Sequence, residues 1–130
     1  MENTEKQCCC HGKGIEKPTE TTIEILGTKY RVVLCTDKEH SALTESDGCC
    51  DFTTKTIYVR TGFERDSNTV ENLAEYQKKV LTHEIVHAFL YESGLANCSD
   101  WAYNEEIVDW IAIQLTKIFE VRGKAVRAVL

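Results

Sequence analysis

Residues 81–90 read LTHEIVHAFL. His83 and His87 stand four positions apart, Glu84 follows the first histidine at once, and the neighbours are almost all apolar. Working outward, Leu73, Tyr76, Val80, Leu81, Ile85, Ala88 and Phe89 recur at helical spacing, so the stretch is predicted to lie inside a long amphipathic helix. Asn68 with Glu71 three residues later offers an N-cap and capping box, and Gly94 offers a stop. On a helix, residues four apart lie one turn above each other with Cβ atoms ~5–6 Å apart. His83 and His87 therefore point the same way and can reach one ion. Glu84 is turned about 100° from His83. It cannot share that coordination position, but it can reach a water beside the ion, which is the mechanical content of H-E-x-x-H: two ligands and a general base.

Two ligands are too few for a catalytic zinc, which takes three protein groups and a water. The sequence Asn104–Asp109, NEEIVD, belongs to a second predicted helix that begins near Ser99 or Asp100, carries Ile107, Trp110, Ile111, Leu115 and Ile118, and ends near Gly123. Glu105 and Asp109 share a face there. Glu105 is the expected third ligand, and Asp109 is expected to accept a hydrogen bond from a histidine ring nitrogen and fix its tautomer. Glu106 is the alternative ligand; it points about 100° away, and Asp109 falls on the side of Glu105. A metal-free reading, with the two histidines simply hydrogen-bonded to carboxylates, must also account for Glu84, Glu105 and Asp109. Buried carboxylates are costly unless paired or metal-bound. The apolar stripes of the helices are read as core rather than as a partner groove.

Upstream, residues 21–35 alternate apolar and polar residues around Gly27, which predicts a hairpin with strands near 21–26 and 29–35. CCDFTTKTIYVR, residues 49–60, predicts a second strand pair about a turn at Thr53–Lys55. Strands followed by two long helices give an α+β fold with one small antiparallel or mixed sheet. The organisation expected is a flexible N-terminal tail over 1–20 and one domain over 21–130.

The chain has 130 residues and a net charge of -6, which argues against a nucleic-acid partner. No apolar run is long enough to span a bilayer, and the first twenty residues carry no signal-peptide core, so a cytoplasmic protein is expected. Seven cysteines, an odd number with adjacent members, do not form a disulfide framework and are read as thiols. Cys35 and one of Cys49 and Cys50 are expected to be buried in strands. Cys8, Cys9, Cys10 and His11 have zinc-binding chemistry, but adjacent cysteines wrap one ion poorly, and they are read as tail. Cys98 is read as a loop residue without a role.

HEIVH followed 17 residues later by NEEIVD resembles the gluzincin pattern of zinc metallopeptidases, H-E-x-x-H…N-E-x-x-x-D. The layout over roughly residues 48–120 also resembles the compact zincins of bacteria and their phages, including the ImmA/IrrE group. The resemblance implies Zn2+ held by His83, His87 and Glu105, with Glu84 as the base and Asp109 supporting a histidine. It implies hydrolysis of peptide bonds in a protein or peptide, which could be a regulatory protein. The metzincin pattern fails, because Leu90 and Ser93 occupy its glycine and third-histidine positions. The further domain in which thermolysin-like enzymes carry oxyanion-stabilising groups is not expected within these 130 residues. Tyr103 is the candidate for that role, followed by Tyr58 and Tyr91, although packing between helices also explains it. Bulky Val108 and Trp110 after the glutamate depart from the ImmA-type signature. Two other readings stand beside the enzyme: a non-catalytic zinc-binding module that recognises a regulatory protein, and a structural zinc domain that would unfold on chelation. In the enzyme reading, strand Thr56–Arg60, if at a sheet edge, would pair with an extended substrate.

Overall fold

The computed structural model describes residues 19–63 and 72–130. The expected tail chemistry of Cys8–Cys10 and His11, and the expected capping pair Asn68 and Glu71, lie outside the described residues.

The fold is α+β, with four strands followed by two long helices. Strands β1 (Glu20–Ile25) and β2 (Thr28–Cys35) form the antiparallel hairpin, in register from Glu20 opposite Val33 to Ile25 opposite Thr28. Leu26 and Gly27 both sit at positive φ, 48° and 84°, as a two-residue turn matched to the strand twist requires. Strands β3 (Gly48–Asp51) and β4 (Thr56–Arg60) are antiparallel about the predicted turn. Asp51 closes that turn by accepting from the Thr53 and Thr54 N–H groups at 2.9 and 3.2 Å.

The sheet is mixed. Its order is β1-β2-β4-β3, and β2 runs parallel to β4. Among the described residues this places β4 in the interior and makes β3 an edge, so the expectation that Thr56–Arg60 could receive an extended peptide is corrected. The cause is the connection after Cys35. It carries a 3-10 turn at Ser41–Thr44, with Leu43 fully buried, and delivers the second hairpin the other way round.

Helix α1 (Leu73–Glu92) lies on the sheet. Within the described residues its cap is Asn72, whose side chain accepts from the Glu75 N–H at 3.3 Å. Gly94, at φ 82°, ends it as expected. Val80, Leu81, Ile85 and Ala88 pack on Ile25, Tyr30, Val32, Ile57 and Val59. Removing such a cluster from water contributes roughly 1.5–3 kcal/mol per large side chain. At the far end Glu92 accepts from the Tyr30 hydroxyl at 2.7 Å and the Thr28 hydroxyl at 3.2 Å, and it pairs with Lys55. Neighbouring Tyr91 stacks on Phe52.

After a 3-10 turn at Asp100–Tyr103, α2 runs from Glu105 to Val129. It thus starts later and ends later than the periodicity predicts. Asn104 sets the start, its side chain accepting from the Ile107 N–H at 3.0 Å. Gly123 does not stop the helix: a single interior glycine costs about 1 kcal/mol against alanine, and good helix formers follow it. Val86 and Leu90 of α1 meet Ala102, Val108 and Ala112 in a second core cluster. Ile111 packs against that cluster too, but the outer part of the α2 stripe is not core. Ile107, Trp110 and Ile118 are 38%, 59% and 53% exposed, because α1 is narrower than the apolar arc of α2.

Cys35 is buried, Cys49 and Cys50 are each half-buried, and all the described cysteines are free thiols. Cys98 is exposed and its thiol donates to the Gly94 carbonyl. No helix among the described residues is long and apolar enough to cross a membrane.

Candidate metal centre

Helix α1 is the middle layer, and its two working faces follow from its period. Positions 83, 86, 87 and 90 fall on one face, where Val86 and Leu90 pack on α2. Positions 80, 81, 84, 85 and 88 fall toward the sheet. His83 and His87 are therefore delivered to the seam between the helices, and Glu84 to the border with edge strand β3.

Across that seam the Asn104 cap starts α2 with Glu105 facing both rings. The His83 Nε2 atom lies 2.9 Å from one Glu105 carboxylate oxygen, and His87 Nε2 lies 3.1 Å from the other. The two Nε2 atoms are 3.0 Å apart. Four ligands at ~2.0–2.1 Å around a tetrahedral ion stand about 3.3–3.4 Å from one another. The three donors need to spread by only a few tenths of an ångström to match. Imidazole nitrogens with a carboxylate also form a fitting donor set for a divalent transition metal. His83, His87 and Glu105 are the group among the described residues that could hold a metal ion.

Asp109 sits one turn beyond Glu105, with its Oδ1 3.4 Å from His83 Nδ1. The two residues expected to pair are thus neighbours, though at 3.4 Å the contact is not a formed hydrogen bond; a proton on Nδ1 would leave the Nε2 lone pair free for a metal. Burial, chiefly, holds the His87 pKa below its usual value, and His83 adds to this while Glu105 opposes it. The neutral ring that ligation requires is thereby favoured.

Glu84 is 7% exposed. Burial pushes its pKa up to about 7, with Glu105 raising it further and the His83 charge and the Cys50 N–H pulling it down. A carboxylate with a pKa near neutrality is suited to taking up and returning a proton.

Two residues that sequence reasoning missed complete the surroundings. Lys79, one turn before His83, pairs with the second oxygen of Asp109 at 3.1 Å. Its i−4 spacing from His83 was visible, but only the crossing of the two helices brings it to Asp109. Gly48, the first residue of β3, is where Glu84 and Val80 press on the sheet. A Cβ there would lie 2.7 Å from Glu84 Oε1 and 2.7 Å from Val80 Cγ1. A glycine opening a strand signals such a close approach. Gly48→Ala is expected to push Glu84 off β3 and lower any hydrolysis roughly 10²-fold, the scale of a 1 Å misplacement, while metal content stays unchanged. Rates and metal content measured on the same preparation check this.

The oxyanion candidates are Tyr103, Tyr58 and Tyr91. Tyr58 is stacked on His40 and Tyr91 on Phe52. Tyr103 ends the 3-10 turn before α2 and is 54% exposed. Glu106 is exposed on α2, and the group that converges with the histidines contains Glu105 instead. No protein-family model, curated protein or solved structure matches this chain.

Proposed function

We propose that the protein is a zinc-dependent metallopeptidase of the gluzincin type. The observation that carries this reading is the meeting of two imidazoles and the Glu105 carboxylate at one point, with buried Glu84 next to the first ligand in the chain. His83, His87 and Glu105 would hold the zinc, which when bound supplies a Lewis acid that acidifies water and polarises a carbonyl. Glu84 accepts the proton of the attacking water on its carboxylate and returns it to the leaving amide nitrogen. Asp109 keeps the His83 ring turned toward Glu105 through Nδ1. Edge strand β3 takes over the substrate-pairing role first expected of β4: it runs past Glu84, and an extended peptide could add to it by backbone hydrogen bonds.

The exposure of Tyr103 favours a second reading, a zinc-binding module that recognises a regulatory protein without cutting it. Incubation of the chelated and zinc-restored protein with a peptide library and with candidate regulatory proteins, read by mass spectrometry, separates the two. Cleavage that disappears on chelation and returns with zinc is expected. Binding of a partner without cleavage by the zinc-restored protein would overturn the peptidase in favour of the module.

A further inference from the structure

The edge strand β3 is partly closed by its own chain. The Arg60 N–H donates to the Asp47 carbonyl at 2.8 Å, and these two residues stand one step before the Gly48–Val59 pair of the β3–β4 ladder. Residues of an antiparallel ladder alternate between those that bond the partner strand and those that do not. Cys49 and Asp51 therefore turn their peptide groups to β4, and Gly48 and Cys50 turn theirs to the open edge.

The two outward residues differ. The Ser46 hydroxyl donates to the Gly48 carbonyl at 2.6 Å, and the Gly48 N–H lies 3.4 Å from the same oxygen. One oxygen thus spans both groups, where the peptide of an adjoining strand would lie. Closing an edge in this way limits unwanted pairing. Two residues on, the Cys50 N–H faces the Glu84 carboxylate and favours its charge. No described residue bonds the Cys50 carbonyl. What the edge leaves open is a single acceptor, and it stands beside Glu84.

Building on the peptidase reading, we propose that Ser46 is a specificity-determining residue that ends substrate pairing at Cys50. A substrate strand antiparallel to β3 donates one backbone N–H to the Cys50 carbonyl. Two residues toward its C-terminus, the substrate residue opposite Gly48 meets a carbonyl already occupied and needs no N–H of its own. The substrate class is an extended segment with one obligatory backbone donor on this edge, recognised for the rest by its side chains. A fully open edge would instead use every second backbone N–H along its length.

The test uses a peptide that the zinc-restored protein cleaves, resynthesised with each backbone amide in turn replaced by an ester. The ester removes an N–H without adding bulk. Binding is measured by titration calorimetry on zinc-loaded Glu84→Gln, which is expected to hold the peptides without cutting them. One ester position is expected to lose about tenfold in affinity, and the position two residues C-terminal to it is expected to stay within about twofold of the parent. Ser46 is exposed, so Ser46→Ala added to this protein is expected to keep its circular dichroism spectrum. It is expected to make the second position sensitive as well, by about fivefold, the effect of one ordinary backbone hydrogen bond. It is also expected to move the carbonyl carbon chemical shift of Gly48 upfield, and Ser46→Thr is expected to restore both readouts. Equal sensitivity at the two positions before Ser46 is changed, or an ester scan and a Gly48 shift that ignore Ser46→Ala, would overturn the proposal and leave the peptidase standing. A wild type that cleaves no peptide would overturn the peptidase and this proposal with it.

Discussion

Replacing Glu84 with glutamine is expected to leave metal content unchanged and to lower peptide hydrolysis by about 10²–10⁴-fold, the usual contribution of a positioned general base. The substitution keeps the shape of a side chain wedged between β3 and α1, where space is so short that even a methyl group on Gly48 would collide with it. It removes only the ability to take up a proton. The three candidate ligand atoms belong to other residues, so a binding isotherm for zinc is expected to be indistinguishable from that of the wild type. Equal cleavage rates for Glu84→Gln and wild type at matched zinc occupancy would remove Glu84 from the chemistry. Loss of zinc together with loss of activity would instead show that Glu84 supports the ligand set.

The second large effect is expected at Glu105. Truncating it to alanine removes the one donor that comes from α2, leaving two imidazoles on a single helix. Zinc affinity, measured by competition with a chromogenic chelator, is expected to fall by more than the roughly 10–100-fold that loss of a supporting group such as Asp109 costs. Glu106→Ala is expected to bind zinc like the wild type. The pair of variants tests the register of α2, because Asn104 capping the helix is what turns Glu105 rather than its neighbour toward His83 and His87. The reverse result would mean that α2 is rotated by about 100°.

What could be read in advance was mostly local. The spacing of His83, Glu84 and His87 determines their relative directions on any helix, whatever surrounds it. Glu105 and Asp109 obey the same rule, and their approach to the histidines needed only the assumption that two apolar stripes pack together. The hairpins were legible for a similar reason: alternation and turn residues act within a few positions. The order of the strands was not. Whether β4 pairs with β2 or stays outside depends on the path of residues 36–47, which have no period of their own. The same limit hid Gly48 and Lys79. Each matters through a neighbour more than twenty residues away in the chain, Glu84 for the first and Asp109 for the second. The α2 stripe misled in the opposite direction. Helical period identifies apolar faces but does not say how many of them a partner element covers, and α1 covers only one.

The bonds gathered on Glu92 have a bearing on where Glu84 sits. Tyr30, Thr28 and Lys55 tether the last turn of α1 to β2 and to the turn before β4, eight residues or about 12 Å along the axis from Glu84. A rod pinned at one end cannot slide lengthwise across the sheet beneath it. The distant tether thus acts as the datum from which the position of the carboxylate against the edge strand is measured, and a change at Lys55 or Tyr30 would reach Glu84 as a longitudinal displacement, with no side chain in between having altered.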